Sequence, residues 1–212
     1  MTRVKICGIT NLEDALAAAD AGADALGFVL AEEAKERNRY ISLEDAQTII
    51  EKLPPFVTTV AVTVNMPVTE IAQVLNWFDL VQLHGEEEPY HLPLGHLGIK
   101  AFRAGPDMGI AEMDEYREAR AWLLDAFVPD QRGGTGKVCD WELAKQAVGM
   151  NKPIILAGGL TPENVGEAVS RVQPYGVDVS GGVESSPGKK DHERIRTFIN
   201  NVHEAPVAQR QR

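Results

Sequence analysis

Cysteine is scarce in this chain, and long apolar runs are missing from it. Cys7 and Cys139 are the two cysteines among 212 residues, which is too few for a disulfide framework and fits a reducing compartment. No apolar run approaches the ~20 residues of a membrane-spanning helix, and the first residues lead directly into a predicted strand without a signal-peptide pattern. We therefore expect a cytoplasmic protein that has no membrane contact.

Positive charge is also limited. The chain has 21 Lys and Arg against 31 Asp and Glu, a formal net charge of −10, and the basic residues are scattered along it. This pattern argues against nucleic acid as a partner, although a local positive site can still bind a small anion. The 5 histidines show no metal-ligand spacing. We therefore expect that the protein does not require a metal.

What the chain does contain is a regular alternation of short β-branched runs and helical patterns. Continuous apolar runs are typical of parallel strands buried on both faces. The unbroken alternation predicts an α/β protein, a small single-domain (β/α)₈ TIM barrel over residues 1–203, with an open doubly wound sheet as the alternative. Residues 204–212 lack periodicity and are expected to form a disordered tail. The predicted strands are Arg3–Ile6, Ala25–Leu30, Thr58–Val64, Leu80–Leu83, Gly98–Phe102, Ala121–Asp125, Pro153–Ala157 and Gly176–Val179.

Several helix starts carry recognisable signals. The run Thr10-Asn11-Leu12-Glu13 predicts a capping box that begins with Thr10. Ser42 precedes another helix, and Thr161-Pro162 predicts an N-cap followed by proline at the first helical position. Weaker helices are expected after Pro67, Glu87, Gly109 and Asp140.

Glycine pairs follow the last two predicted strands. In a (β/α)₈ barrel the loops after the strands form the active site, and those after strands seven and eight commonly hold a phosphate. Gly158-Gly159 and Ser180-Gly181-Gly182 occupy these places, so we predict a phosphorylated small-molecule substrate. The alternative is that the glycines merely permit tight turns.

A further glycine-rich segment follows strand six. Gly133-Gly134-Thr135-Gly136 lies before Lys137, but Val138 stands where a nucleotide P-loop needs serine or threonine. We interpret the four small residues as a loop that closes over the substrate and excludes water.

Two strand-end residues suit acid and base chemistry. Cys7 ends the first strand, where a helix N-terminus or a cation can lower the thiol pKa from its ordinary value of about 8.5. Asp125 ends strand six, where partial burial can raise its pKa above about 3.9. Together they form a candidate acid–base pair across one pocket. The alternatives are a core thiol and an aspartate that caps a loop.

Eight motifs, spread in order over nearly the whole chain, occur together in one known family. They are Lys5-Ile6-Cys7-Gly8-Ile9-Thr10, Gly27-Phe28-Val29, Val81-Gln82-Leu83-His84-Gly85, Leu124-Asp125, Gly133-Gly134-Thr135-Gly136, Asp140-Trp141, Leu156-Ala157-Gly158-Gly159-Leu160 and Asp178-Val179-Ser180-Gly181-Gly182-Val183-Glu184. On these motifs the chain resembles the phosphoribosylanthranilate isomerases, (β/α)₈ enzymes of tryptophan biosynthesis.

The resemblance implies an Amadori rearrangement without a cofactor. Its substrate is N-(5-phosphoribosyl)anthranilate, and its product is 1-(2-carboxyphenylamino)-1-deoxyribulose 5-phosphate, in the third step from chorismate to tryptophan. The residue that matches Asp125 is the general acid, which protonates the furanose ring oxygen. The residue that matches Cys7 is the general base, which removes the C2 proton. One group must be protonated and the other deprotonated at one pH, so their pKa values must be moved toward each other.

The resemblance also implies an arginine that binds the anthranilate carboxylate, and here the chain departs from the family pattern. The usual Ser-Pro-Arg is replaced by Arg37-Asn38-Arg39. We predict that Arg39 binds the carboxylate; Arg37 is one alternative, and a solvated charge run that includes both arginines is another. Gln82, His84 and Asp178 match pocket positions and are expected to orient the substrate, although His84 alone could simply satisfy a loop carbonyl. Cys139 stands where the family tends to have phenylalanine and is expected to pack.

Other functions stay open at this point. One is catalysis by another phosphate-binding barrel on a related aminated ribose phosphate. The other is a non-catalytic phosphate-binding barrel, which predicts loss of the acid or the base, whereas the sequence keeps Cys7 and Asp125. The sequence is compatible with a monomer or a homodimer.

Overall fold

The computed structural model describes residues 1–89, 95–105, 108–126 and 140–206. Eight parallel strands alternate with helices in these ranges, followed by a small hairpin. The strands are β1 Arg3–Cys7, β2 Ala25–Val29, β3 Thr58–Thr63, β4 Leu80–Leu83, β5 Gly98–Ala104, β6 Ala121–Ala126, β7 Ile154–Leu156, β8 Gly176–Val179, β9 Glu184–Ser186 and β10 Lys189–Lys190. The helices are α1 Leu12–Asp20, α2 Leu43–Ile50, α3 Val68–Val74, α4 Ile110–Asp114, α5 Trp141–Val148, α6 Val165–Val172 and α7 His192–Glu204.

Strands β1 to β8 form a closed barrel. Each strand pairs in parallel with the next, and β8 pairs with β1 from Arg3 opposite Gly176 to Ile6 opposite Val179. The predicted (β/α)₈ barrel is therefore confirmed, and the alternative of an open doubly wound sheet is wrong. The predicted strand ends need small corrections: β1 continues through Cys7, β5 continues through Ala104, and β7 is shorter than predicted.

Side-chain caps explain where the helices begin, and they correct two predictions. Ser42 accepts from the Asp45 N–H as predicted. The cap of α1 is Asn11 rather than Thr10, because Asn11 Oδ1 accepts from the Asp14 N–H, whereas the Thr10 hydroxyl donates to the Gly188 carbonyl. Helix α6 begins at Val165, beyond Thr161-Pro162.

Weaker helix predictions have mixed outcomes. Helices α3, α4 and α5 follow Pro67, Gly109 and Asp140 as predicted, and the Asp140 side chain caps α5. The helix expected after Glu87 falls largely on residues 90–94, outside the described residues.

Two apolar regions bury most of the hydrophobic side chains. The larger lies between the strands and the helices and includes Phe28, Trp122 and Phe198. The smaller fills the barrel interior and includes Val60 and Leu123. Each fully buried large side chain stabilises the fold by roughly 1.5–3 kcal/mol. Buried polar side chains join the barrel residues toward the carboxyl ends of the strands, namely Lys5, Gln82, Asp125 and Asp178.

The predicted tail overlaps the last helix. Helix α7 ends at Glu204, the first residue assigned to the tail, and residues 207–212 lie outside the described residues. Within the part of the chain that the structure describes, no helix combines the length and apolar character that a membrane crossing requires.

Candidate active site

The thiol of Cys7 lies at the carboxyl end of β1, in space that is open because the neighbouring residue on β2 is Gly27. Cys7 is the last residue of the strand and is paired in register with Gly27 of β2. A Cβ at position 27 would lie 2.7 Å from Cys7 Sγ and 3.0 Å from Lys5 Nζ. Glycine at this position therefore makes room for both the thiol and the ammonium.

Lys5 and Asp178 form a buried ion pair beside this thiol. The two residues face each other across the β1–β8 seam, and Lys5 Nζ donates to Asp178 Oδ1 at 2.9 Å. Burial alone would lower the pKa of Lys5, but Asp178 and Cys7 hold the pKa above the ordinary value for lysine. Asp178, predicted to orient the substrate, thus pairs with a lysine that the sequence analysis did not select.

The Cys7 thiol experiences opposing influences. Burial raises the pKa of the thiol, while the Lys5 ammonium lowers it. Asp178 raises the pKa again, and Lys190 lowers it. The net effect is a raised pKa, so the thiol can serve as a base only where the positive charges compensate its burial.

Asp125 is held near the carboxyl end of β6 by a second glycine. Its Oδ1 accepts from the Ala126 N–H at 2.8 Å, and the residue is buried. Gly158 has a φ of +81°, and a Cβ there would lie 2.3 Å from the Ala126 nitrogen and 2.9 Å from Asp125 Oδ1. Gly158, the first glycine of the pair after β7, is therefore required, because a side chain there would displace the Asp125 carboxyl group and the main chain that holds it.

His84 joins the carboxyl group of Asp125 to Gln82. Gln82 Nε2 lies 2.9 Å from His84 Nδ1, and His84 Nε2 lies 3.5 Å from Asp125 Oδ2. When the amide donates, Nδ1 is the acceptor and the ring proton is on Nε2, facing the carboxyl group. The structure thus brings together three predicted site residues, and a contact with Asp125 replaces the alternative in which His84 satisfies a loop carbonyl.

The loops after β7 and β8 touch. Gly182 lies so close to the Leu160 carbonyl that a Cβ would be 1.9 Å from the oxygen, and Gly159 adopts a φ of +64°. A short 3₁₀ helix, Gly181–Val183, begins after Ser180. The predicted phosphate residues are therefore adjacent to one another at the carboxyl ends of these strands.

Arg39 lies beside these loops and forms a bidentate ion pair with Glu184. Its Nε and Nη2 donate to the two Glu184 oxygens at 2.9 and 2.8 Å, and its side chain is 11% exposed. By contrast, the Glu32–Lys35 pair of the same segment is solvated. Arg39 thus does not belong to a solvated charge run, and Arg37 ends the preceding 3₁₀ helix.

Lys190 completes this group of charges from the β9–β10 hairpin. Its buried Nζ donates to the Cys7 carbonyl at 2.6 Å and to Glu184 Oε1 at 3.0 Å. Burial lowers the pKa of Lys190, against the attraction of Glu184. Burial would raise the pKa of Glu184, but Arg39 and Lys190 lower it.

Sequence reasoning missed Lys5, Glu184 and Lys190 as members of the site. Lys5 gave a usable signal, because it shares the inward face of β1 with Cys7 at a spacing of two residues. Lys190 lies in a two-residue strand, which is too short for a periodic pattern. The predicted closing loop, Gly133 to Gly136, and Cys139 lie outside the described residues.

Comparisons with known proteins agree with this geometry. The family model described as N-(5′-phosphoribosyl)anthranilate (PRA) isomerase matches residues 4–201. The N-(5′-phosphoribosyl)anthranilate isomerase of Pseudomonas fluorescens (strain Pf0-1) is 51% identical over 209 residues, which cover 94% of this chain and 98% of the relative.

Solved structures of this enzyme have the same fold. A phosphoribosylanthranilate isomerase in complex with reduced 1-(o-carboxyphenylamino)-1-deoxyribulose 5-phosphate superposes with a TM-score of 0.83 at 43% identity, covering 96% of this chain and 99% of the other. A monomeric form of the dimeric enzyme from Thermotoga maritima gives 0.82 at 42% identity, with the same two coverages of 96% and 99%. With its closed barrel, its paired glycine loops and these matches over almost its full length, the chain belongs to the N-(5′-phosphoribosyl)anthranilate isomerase family.

Proposed function

We propose that this chain isomerises N-(5′-phosphoribosyl)anthranilate to 1-(2-carboxyphenylamino)-1-deoxyribulose 5-phosphate with Asp125 as general acid and Cys7 as general base. The overall reaction is that of its family, in tryptophan biosynthesis. The observation that supports the assignment of roles is the pair of buried acidic groups, thiol and carboxyl, at the carboxyl ends of β1 and β6 of one barrel.

Asp125 acts first. Its carboxyl group donates a proton to the furanose ring oxygen, the bond from C1 to that oxygen breaks, and the anthranilate nitrogen forms a Schiff base with C1. His84 positions the carboxyl group, because its Nε2 lies 3.5 Å from Asp125 Oδ2 while Gln82 holds its Nδ1. The carboxyl group is thus held in a fixed position for proton transfer to the ring oxygen.

Cys7 acts second. Its thiolate takes the C2 proton, and the electron pair of the C–H bond moves toward C1 and the Schiff-base nitrogen, which gives an enolamine. Tautomerisation of the enolamine then gives the ketone product. The proton that enters at the ring oxygen and the proton that leaves C2 balance, so the reaction needs no oxidant or reductant.

The substrate's two anionic ends have separate sites in this proposal. The backbone N–H groups around Gly158, Gly159, Ser180, Gly181 and Gly182 bind the phosphate. Arg39 binds the anthranilate carboxylate with the edge of its guanidinium that Glu184 does not occupy.

Loss of anthranilate-type fluorescence in purified protein tests the assignment. We expect Cys7→Ala and Asp125→Asn each to lower kcat by about 10²–10⁴-fold. Asp14→Asn is the matched control, since Asp14 is a comparably buried carboxylate that contacts α7 and the β9–β10 hairpin, and it should keep kcat. Undiminished turnover in both site variants would reject the roles, and no turnover in the parent would reject the substrate.

We further propose a homodimer formed through the amino end of the barrel. Large apolar side chains are exposed there, just before β1, β3, β4 and β8: Met1, Phe56, Trp77 and Tyr175. Phe56 is 96% exposed, and large apolar side chains exposed at one end of a molecule are typical of an interface. A dimeric relative supports a second copy of the chain as the partner.

Light scattering tests this partner. We expect the parent to be a dimer at micromolar concentration, Phe56→Ser to shift it to a monomer, and Phe56→Leu to keep it dimeric. A monomeric parent would contradict the proposal. The biosynthetic role of the family supports a cytoplasmic location, and the net charge of −10 argues against nucleic acid as a partner.

A further inference from the structure

Lys5 is a buried cation that the acid and base steps above leave without a task. Its side chain is 5% exposed, and its Nζ donates to Asp178 Oδ1 at 2.9 Å. A buried ion pair seldom adds stability over an apolar pair of the same size, because both charges lose their hydration. Its presence inside the barrel therefore calls for an explanation in terms of function.

The ammonium of Lys5 also reaches the catalytic thiol. A point at the missing Cβ of Gly27 lies 2.7 Å from Cys7 Sγ and 3.0 Å from Lys5 Nζ, so the thiol and the ammonium border the same small space, and Lys5 lowers the pKa of Cys7. One ammonium is thus shared between two acidic groups, the Cys7 thiol and the Asp178 carboxylate.

We propose that Lys5 is a positioning residue for the base: its ammonium, held in place by Asp178, supplies the positive charge that allows Cys7 to ionise inside the barrel. Asp178 competes for the same charge and so limits how far Cys7 ionises. The assignment rests on the proposed function for the role of Cys7 as base, but the ionisation of the thiol can be measured without turnover.

Charges on the other elements around Cys7 are less direct. Lys190 of β10 donates to the main-chain carbonyl of Cys7 and is paired with Glu184, while β2 contributes the uncharged Gly27. Burial raises the pKa of Cys7, Lys5 lowers it and Asp178 raises it again. Removal of Lys5 and removal of Asp178 should therefore move the ionisation of Cys7 in opposite directions.

The rate of alkylation by iodoacetamide, followed across pH by mass spectrometry of the Cys7 peptide, reports this ionisation. We expect Lys5→Met to raise the pH midpoint of the alkylation rate by about one pH unit or more. Asp178→Asn should lower this midpoint by about one unit at most. If access of the reagent to the thiol is limited, the alkylation rate falls by the same factor at every pH, and the pH midpoint does not change. The second cysteine, Cys139, is resolved as a separate peptide.

A charge-neutral double variant tests whether misfolding, rather than the loss of the ammonium, shifts the midpoint. Lys5→Met leaves Asp178 buried without a partner, whereas the double variant Lys5→Met/Asp178→Asn removes both charges, a change that buried pairs often tolerate. Its midpoint should still lie above that of the parent, because the ammonium outweighs the carboxylate at Cys7.

A matched control exists elsewhere in the barrel. Lys100 and Glu87 form a comparable buried pair, with Nζ 2.8 Å from Oε2 and side chains 4% and 2% exposed. The double variant Lys100→Met/Glu87→Gln should leave the Cys7 midpoint unchanged. Equal midpoints in all variants, or shifts of Lys5→Met and Asp178→Asn in the same direction, would overturn the proposal.

The pH profile of kcat/KM then separates the two proposals. A base must be deprotonated, so the acidic limb of the profile should move with the alkylation midpoint of each variant. Opposite midpoint shifts in a parent that shows no turnover would support the role of Lys5 in thiol ionisation and reject the proposed function alone.

Discussion

At the scale of single residues, the space left by glycine governs the site as much as the reactive groups do. Gly27 leaves room for the Cys7 thiol and the Lys5 ammonium, and Gly158 leaves room for the Asp125 carboxyl group. The three nearest atoms in each place include one of the reactive groups, Cys7 Sγ at Gly27 and Asp125 Oδ1 at Gly158. A single added methyl group should therefore affect catalysis directly.

Gly27→Ala is the sharpest case. The new Cβ would lie 2.7 Å from Cys7 Sγ, so the thiol must move, and we expect kcat to fall by about 10²-fold, the scale of a misplaced catalytic group. Steady-state kinetics and thermal unfolding measure the two effects separately. Gly166→Ala is the control, because its Cβ would meet its nearest atom at an ordinary 3.6 Å; equal losses in both variants would contradict the prediction.

The sequence predicts the reactive residues better than their partners. Cys7 and Asp125 stand at strand ends, which the barrel topology turns toward one face. Lys5 is separated from Asp178 by 173 positions, and no local sequence pattern predicts that the two residues are in contact. The seam between β1 and β8 creates the pair, so it becomes visible only once the barrel is closed.

At the scale of secondary-structure elements, the β9–β10 hairpin connects the base to the carboxylate-binding arginine. Glu184 begins the hairpin and holds Arg39, Lys190 ends it and holds the Cys7 carbonyl, and Gly188 lies in its turn. At Gly188 the φ is +81°, and a Cβ would lie 2.0 Å from the Asn38 carbonyl oxygen. The turn is thus fitted against the segment that carries Arg39.

Gly188→Ala should displace that segment. We expect KM to rise several-fold and the melting temperature to fall, because the added methyl group combines a strained φ with a backbone clash. Gly22→Ala has the same kind of strain, with a φ of +99°, but its nearest atom is 3.9 Å away. This control should lower stability by about 1 kcal/mol and leave KM as in the parent; a KM unchanged in both variants would refute the role of the hairpin.

The hairpin also shows where element prediction ends. Strands β1 to β8 have continuous apolar runs, and these runs predict every strand end to within two residues. The pair of short strands β9 and β10 has mostly polar and charged residues, and its register depends on contacts with α1 and the Arg39 segment. Likewise, Thr10 has the residue type of a cap but bonds Gly188 instead, which moved the cap of α1 to Asn11.

At the scale of the whole molecule, Asp14 joins the first and last units of the barrel. This buried α1 carboxylate accepts from the Lys190 N–H at 3.0 Å and lies 2.8 Å from His192 Nε2 of α7. Burial would raise the pKa of Asp14, but these hydrogen bonds and that from Asn11 lower it. The ionised form is therefore the one that stabilises the closed barrel.

Asp14→Asn should show this as a pH-dependent loss of stability. Since the folded pKa lies below the unfolded value of about 3.9, the carboxylate contributes stability above that pH and loses the contribution as the pH falls through the folded value. We expect the free energy of unfolding to drop by about 1–3 kcal/mol at pH 7, with a smaller difference below pH ~4. Urea unfolding across pH measures it.

Glu13→Gln is the control for this prediction. Glu13 is exposed in the same helical turn, so the substitution changes the net charge equally and should alter the unfolding free energy by less than about 0.5 kcal/mol. A deficit of Asp14→Asn that stays constant from pH 7 to pH 3 would show that the ionised carboxylate is not its source.

Closure of the barrel by its first and last strands also has a consequence for the order in which the protein folds. Lys5, which lies beside Cys7, contacts Asp178 at a distance of 173 positions along the chain, and the Cys7 carbonyl contacts Lys190 at a distance of 183 positions. Such long-range contacts form late, because a long loop must close first. During refolding we expect helical structure to return before the thiol acquires its charged neighbours. Turnover should then be the last property to recover, although its general base, Cys7, lies in the first strand of the chain.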